Sequence, residues 1–187
     1  MLNFDFYNPT RIIFGASTIS RINDYVPVNA RVLVLYGGES ARKNGTLDEV
    51  REALGARETQ EFGGIEPNPS YETLMKAVDL IREQKLDFLM AVGGGSVIDG
   101  TKFIAAAVNY EGDAWEILET YGAKIRQALP FASVLTLPAT GSEMNNGGVV
   151  TRKSTQTKLA FSSPYVFPQF SVLDPNKTYT LPTRQLA

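Results

Sequence analysis

Three consecutive glycines, Gly93, Gly94 and Gly95, followed by Ser96 and then Lys102, stand directly after the apolar run Leu86 to Val92. This order predicts a buried strand, a glycine-rich turn and a helix. The chemistry it suits is phosphate binding. Glycines let the backbone approach an anion closely, and the first N–H groups of a helix lack internal acceptors and carry the positive dipole end. A second polar, glycine-bearing stretch, Leu137-Pro138-Ala139-Thr140-Gly141-Ser142-Glu143, follows the apolar run Ala132 to Thr136. Two such turns at the carboxyl edge of one parallel sheet mark the place where open α/β folds bind ligands.

Two common phosphate signatures fit poorly. In G-x-G-x-x-G/A counted from Gly93, the last position is Ile98, and no acidic residue ends a later strand at the required spacing. Against the P-loop pattern, Thr101 and Lys102 are in reversed order, which turns the lysine by about 100° around the helix. Asp99 would also place a carboxylate beside nucleotide phosphates. An ordinary Rossmann site and an NTPase are both disfavoured. The bland reading is a tight strand-to-helix connection without a ligand. The second stretch, Leu137 to Glu143, weighs against it.

These turns need elements to position them. Arg31 to Tyr36 reads as a strand buried on both faces, ending at Gly37-Gly38. Thr46-Leu47-Asp48-Glu49 has capping-box spacing, and Leu47, Val50 and Leu54 form one stripe, so a helix is predicted up to Gly55. After Gln60-Glu61-Phe62, Asn68 can cap the next helix with Pro69 in its first turn, and Leu74, Ala77, Val78 and Ile81 face the core. Asp87 to Val92, the glycines and a helix to Ala107 repeat the unit. Trp115, Ile117 and Leu118 suggest a short helix, and Ala132 to Thr136 a further strand. Gly148 to Arg152, Lys158 to Phe161 and Phe170 to Leu173 read as short antiparallel strands or a hairpin flap. The expected fold is α/β, a doubly wound, mostly parallel Rossmann-like sheet with a short antiparallel hairpin near its end.

Composition narrows the function. At 187 residues the chain fits one domain, with no cysteine for disulfides or thiolate chemistry and no histidine for proton transfer or metal ligation. A metal would need carboxylates alone. A net charge of −2 with interspersed signs argues against nucleic acid and anionic membranes as partners. No apolar run is long enough to span a bilayer, and Met1 to Asp5 lack the features of a signal peptide, so a cytoplasmic location is expected.

Gly93 to Lys102 and Leu137 to Glu143 resemble the iron-containing (group III) alcohol dehydrogenases. The likeness takes in Asn8 to Gly15, Tyr36-Gly37-Gly38, Pro67-Asn68-Pro69, Leu173-Asp174-Pro175 and Thr180-Leu181-Pro182, and so spans the chain. It is nearest the branch of bacterial butanol dehydrogenases and broad-substrate aldehyde reductases. The resemblance covers the amino-terminal half of full-length members, a domain that is also dehydroquinate-synthase-like. Their helical second domain carries the metal ligands, one aspartate and three histidines, and none of those positions is present here. Asp174 belongs to a different motif.

The resemblance implies that residues 1–187 are a dinucleotide-binding domain, with 175–187 beginning the connection to the helical domain. Gly94, Gly95 and Ser96 would hold the cofactor diphosphate, with Asp99 toward the nicotinamide end. Thr136, Thr140 and Ser142 would contact the adenine and ribose portions, and Asn145 and Lys158 the nicotinamide ribose. Pro69 joins this set from its turn. Gly37, Gly38, Glu39 and Ser40 would meet the adenosine ribose. An acidic residue at Glu39 favours NAD over NADP, since a 2′-phosphate would meet like charge. Ser40 could instead serve a 2′-phosphate if Glu39 points to solvent.

In the family, segments such as Phe4 to Tyr7 and Arg11 to Phe14, edge strands within residues 1–15, contribute to dimer contacts, so a homodimer is expected. The full-length enzymes move hydride between a nicotinamide and a primary alcohol or aldehyde, with iron or zinc polarising the substrate oxygen. These 187 residues alone are expected to bind dinucleotide without metal-dependent turnover. They would contain no catalytic or metal-ligating residue. The alternatives are a dehydroquinate-synthase-like lyase domain and a non-catalytic nucleotide-binding module. The Leu137 to Glu143 and Pro67 to Pro69 stretches favour the dehydrogenase.

Overall fold

A computed structural model describes residues 3–179. The expectations placed on residues 1 and 2, on Thr180-Leu181-Pro182 and on the 180–187 part of the 175–187 connection lie outside the described residues.

The elements run β1 (Arg11–Phe14), α1 (Ile22–Tyr25), β2 (Arg31–Tyr36), α2 (Ser40–Lys43), α3 (Thr46–Leu54) and β3 (Glu58–Phe62). They continue with α4 (Tyr71–Gln84), β4 (Phe88–Gly94), α5 (Gly95–Ala107), α6 (Glu116–Glu119), β5 (Phe131–Leu137), β6 (Gly147–Arg152), β7 (Thr157–Ser162) and β8 (Phe170–Leu173). Among the described residues six strands form one sheet in the order β1-β8-β5-β4-β2-β3, every pair parallel. β6 and β7 form a separate antiparallel pair.

The sheet is doubly wound, as expected from its continuous apolar strands. Val32, Val34 and Tyr36 of β2, with Phe88, Met90 and Val92 of β4, pack on one face against Leu47, Val50 and Leu54 of α3. Leu33, Leu35, Leu89 and Ala91 pack on the other against Leu74, Ala77, Val78 and Ile81 of α4 and the apolar body of α5. Val150 of β6 and Phe161 of β7 extend this second core, with Phe161 edge-on to Phe103 at 6.3 Å between ring centroids.

Several sequence expectations are corrected. Phe170 to Leu173 is no part of a hairpin. It is β8, a parallel strand between β5 and β1, and Phe170, Ser171 and Val172 are buried as befits a strand covered on both faces. The glycine turn is shorter than expected. β4 runs on through Gly93 and Gly94, with a register shift between them, and α5 begins at Gly95.

The Thr46 capping box does not form. Gly45 is the N-cap of α3, and Thr46 spends its hydroxyl proton on the Asn44 carboxamide oxygen at 2.7 Å. Nor does Asn68 cap α4. It takes up φ 56° outside the helix, and Ser70 caps instead, accepting from the Thr73 N–H. Of the two edge strands, Arg11 to Phe14 forms and Phe4 to Tyr7 does not, because its side chains face solvent with Phe4, Phe6 and Tyr7 at 89%, 75% and 81% exposure. No described helix is long and apolar enough to cross a membrane.

Candidate functional site

Chain order reverses across β2: β3 lies on one side of it and β4 on the other. At such a switch point the loops leaving two neighbouring strands diverge and open a crevice at the carboxyl edge. A cleft of about 440 Å³ occupies this place. Its walls include Gly37, Gly38 and Ser40 after β2, Gly94, Gly95 and Ser96 where β4 becomes α5, and Thr136 at the end of β5. Seven of the residues singled out in the sequence are therefore brought together.

The glycines set how narrow this edge is. A Cβ on Gly93 would lie 2.6 Å from Val97, and one on Gly95 2.3 Å from the Thr140 hydroxyl oxygen, so helix, strand end and the Thr140 loop pack backbone to side chain. Gly38 has open space in front of it. Gly94 is the N-cap of α5 and offers no side chain, which leaves the first-turn N–H groups free of a capping acceptor. The result is a narrow opening with outward N–H groups and the positive end of a helix dipole, suited to a diphosphate.

The other predicted residues stand around this opening. Glu39 is on the rim, its side chain 64% exposed and 3.9 Å from Arg42. Pro69 is buried, and its carbonyl accepts from Thr151 at 3.0 Å, tying the α4 entry to β6. Lys158 reaches from β7 to donate to the Asn68 carboxamide oxygen at 2.6 Å, and the Asn68 N–H donates to Ser96 Oγ at 3.3 Å. Hairpin, turn and helix start are thereby linked.

Further along α5 lies a network whose central side chain, Lys102, is absent from the predicted set. Lys102 is fully buried. Its ammonium donates to Ser142 Oγ at 3.0 Å, Asn145 Oδ1 at 2.7 Å and the Gly147 carbonyl at 2.8 Å. Ser142 in turn donates to Asp99 Oδ1 at 2.5 Å, and Asp99 Oδ2 accepts from the Val149 N–H at 3.1 Å. Ser142 is 1% exposed, so its hydroxyl works inside the protein and braces Asp99 from behind. Burial pushes the Lys102 ammonium down to about 8, while Asp99 and Glu143 pull the other way. The available signal for Lys102 was a lone lysine within a helix otherwise apolar from Val97 to Ala107 apart from Asp99 and Thr101. Asn44 and Lys177 also line the cleft, and no sequence pattern pointed to them.

A further clasp holds the hairpin. Glu66 pairs with Lys153 at 2.6 Å and accepts from Ser70 and Thr73. Burial alone would raise its pKa, but the hydrogen bonds from Lys153, its own backbone, Ser70 and Thr73 outweigh that and hold it at about 2.

A doubly wound parallel sheet with a glycine-walled cleft at its switch point has the architecture of a nucleotide-binding α/β domain. The chain belongs to the iron-containing alcohol dehydrogenase family, whose model matches residues 9–175. It is 59% identical over 189 aligned residues to the NADPH-dependent aldehyde reductase YqhD of Escherichia coli, covering 100% of this chain and 49% of that protein. To the probable NADH-dependent butanol dehydrogenase 1 of Bacillus subtilis it is 49% identical, covering 97% of this chain and 48% of that protein. The crystal structure of E. coli YqhD superposes with a TM-score of 0.96, covering 98% of this chain and 48% of that one. NADH-dependent butanol dehydrogenase A from Thermotoga maritima, 41% identical, gives 0.93 over 98% of this chain and 47% of that one. The chain spans about half the length of the curated relatives it matches.

The family name implies iron, and the residues in hand do not fit it. The chain has no histidine or cysteine, and among the described residues no group of three or more acids converges.

Proposed function

We propose that this chain is the dinucleotide-binding part of an NAD(P)H-linked alcohol dehydrogenase or aldehyde reductase. The observation that carries this reading is the glycine-walled cleft into which α5 directs its first N–H groups. Gly94, Gly95 and Ser96 hold the diphosphate, with backbone donors and one hydroxyl rather than a basic side chain. Gly37, Gly38, Glu39 and Ser40 meet the adenosine ribose, and Thr136 and Thr140 the adenine side. Pro69 fixes the turn that places Asn68. Asp99, braced by Ser142, lies toward the nicotinamide with Asn145 and Lys158. When bound, the nicotinamide supplies or accepts a hydride at its C4, with a primary alcohol or aldehyde as its partner. This chain's residues bind and orient the cofactor.

Glu39 supports NAD(H) over NADP(H), since its exposed carboxylate can accept from a ribose 2′-hydroxyl and repels a 2′-phosphate. Among the described residues β1 is an edge strand paired on one side, and Phe14 on it and Phe6 and Tyr7 ahead of it in the chain are exposed, which supports a homodimer. Absence of cysteine fits a reducing cytoplasm.

Isothermal titration of the purified chain with NADH and NADPH tests the reading. NADH is expected to bind and NADPH to bind more weakly. A folded chain that binds neither overturns it. Chelator-sensitive alcohol oxidation by the chain alone would overturn its restriction to cofactor binding.

A further inference from the structure

We propose that Lys102 is a positioning residue whose ammonium shapes the 141–147 loop for dinucleotide binding, so that affinity follows its protonation. The inference rests on the dinucleotide reading of the cleft and extends it to a residue outside the cleft wall.

An ammonium has three N–H donors, and Lys102 meets three oxygens, Ser142 Oγ and Asn145 Oδ1 from the loop and the carbonyl of Gly147 where the loop enters β6. A neutral amine has two donors and a lone pair, so on deprotonation one of these oxygens faces a lone pair instead of a proton. Asn145 Oδ1 also accepts from the Gly147 N–H at 3.1 Å, so the loss spreads along the loop.

Asp99, one turn earlier on α5, grips the same segment through Ser142 and the Val149 N–H. Helix α5 thus holds the loop and the start of β6 with one cation and one carboxylate. The loop begins beside Thr140, the residue packed against Gly95 at the cleft, so its shape sets the width of the helix-start opening. Burying a lysine on an apolar helix is costly, and an apolar residue of similar volume would pack without that cost. Among the described residues, Asp99 from α5 and Glu143 from the loop are the charged groups that face Lys102, and both favour the ammonium. Burial works against them and brings the transition into the range around pH 8.

The test is isothermal titration of the unmodified chain with NADH from pH 7 to pH 9 at constant ionic strength, with K102M and K102R beside it. The unmodified chain is expected to lose about tenfold in affinity across that range, the equivalent of one charge-assisted hydrogen bond. K102R, charged throughout, is expected to keep a level profile, and K102M to bind about tenfold more weakly at pH 7 with no slope. Amide exchange across residues 141–149, corrected for base catalysis, is expected to lose protection over the same range in the unmodified chain without any dinucleotide.

A level affinity profile with constant protection overturns the role of Lys102 and leaves the proposed function standing. A slope retained in K102M assigns the titration to another group and also overturns it. Loss of protection with no dinucleotide bound at any pH overturns the proposed function and keeps the loop-shaping role. The unmodified chain decides the matter even if K102M does not fold.

Discussion

Gly95 and Thr140 approach so closely that a Cβ on the glycine would lie 2.3 Å from the threonine hydroxyl oxygen and 2.8 Å from its methyl carbon. Thr140 is β-branched and stiff, and its hydroxyl accepts the Ser142 N–H at 3.3 Å, so it cannot swing aside without releasing the loop. Gly95→Ala is therefore expected to weaken NADH binding by about tenfold or more and to cost about 1–3 kcal/mol of stability. Titration calorimetry and urea denaturation check the two effects. Unchanged affinity would show that this contact does not shape the cleft.

Gly122 makes a purely structural comparison. Its φ is +86°, and a Cβ there would lie 2.1 Å from the Ser162 carbonyl oxygen, a backbone atom at the end of β7. Gly122→Ala is expected to destabilise by about 3 kcal/mol, read as a lower urea midpoint. A loss below about 1 kcal/mol would mean that β7 shifts freely at this end.

The Glu66 clasp predicts a pH dependence with a definite sign. Its carboxyl is held down from 4.5 to about 2 in the folded chain, so its stabilisation is present above pH 4.5 and is lost as pH falls toward 2. Urea midpoints should fall through that window more steeply in the unmodified chain than in Glu66→Gln. Because Lys153 is solvent-exposed, the difference is expected to be about 1 kcal/mol. Identical acid profiles for the two proteins would remove the clasp from the account of stability.

Selectivity at the ribose end turns on Glu39. Glu39→Ser is expected to raise NADPH affinity relative to NADH by about tenfold, by removing a like charge beside the 2′-phosphate. A ratio of the two dissociation constants that does not move would show that the Glu39 carboxylate faces solvent in the complex.

Much of this architecture was legible because apolar periodicity is local. Arg31 to Tyr36, Leu74 to Ile81 and Ala132 to Thr136 declare strand or helix within their own residues. The place of β8 is not legible, because strand partners are not encoded in a four-residue apolar segment. Only the burial of Phe170 and Val172 between two neighbours distinguishes it from a hairpin arm. The caps of α3 and α4 lie one or two residues from the positions the pattern predicts, because Asn44 and Ser70, not Thr46 and Asn68, have side chains aimed at the free N–H groups. At the site, the glycines could be read because their function is backbone shape. The apolar helix around Lys102 marks it as unusual, but its role is not legible, since its three acceptors lie 40 to 45 positions away.

The placement of β8 also dictates an order of events during synthesis. Of the described strands β1 is synthesised first, yet the neighbour it pairs with, through Arg11 and Phe170 at one end and Phe14 and Leu173 at the other, is synthesised last of them. Until then a nascent chain carries an orphan amino-terminal ribbon beside an incomplete sheet, a long-range closure of the slow kind and an exposed invitation to chaperones.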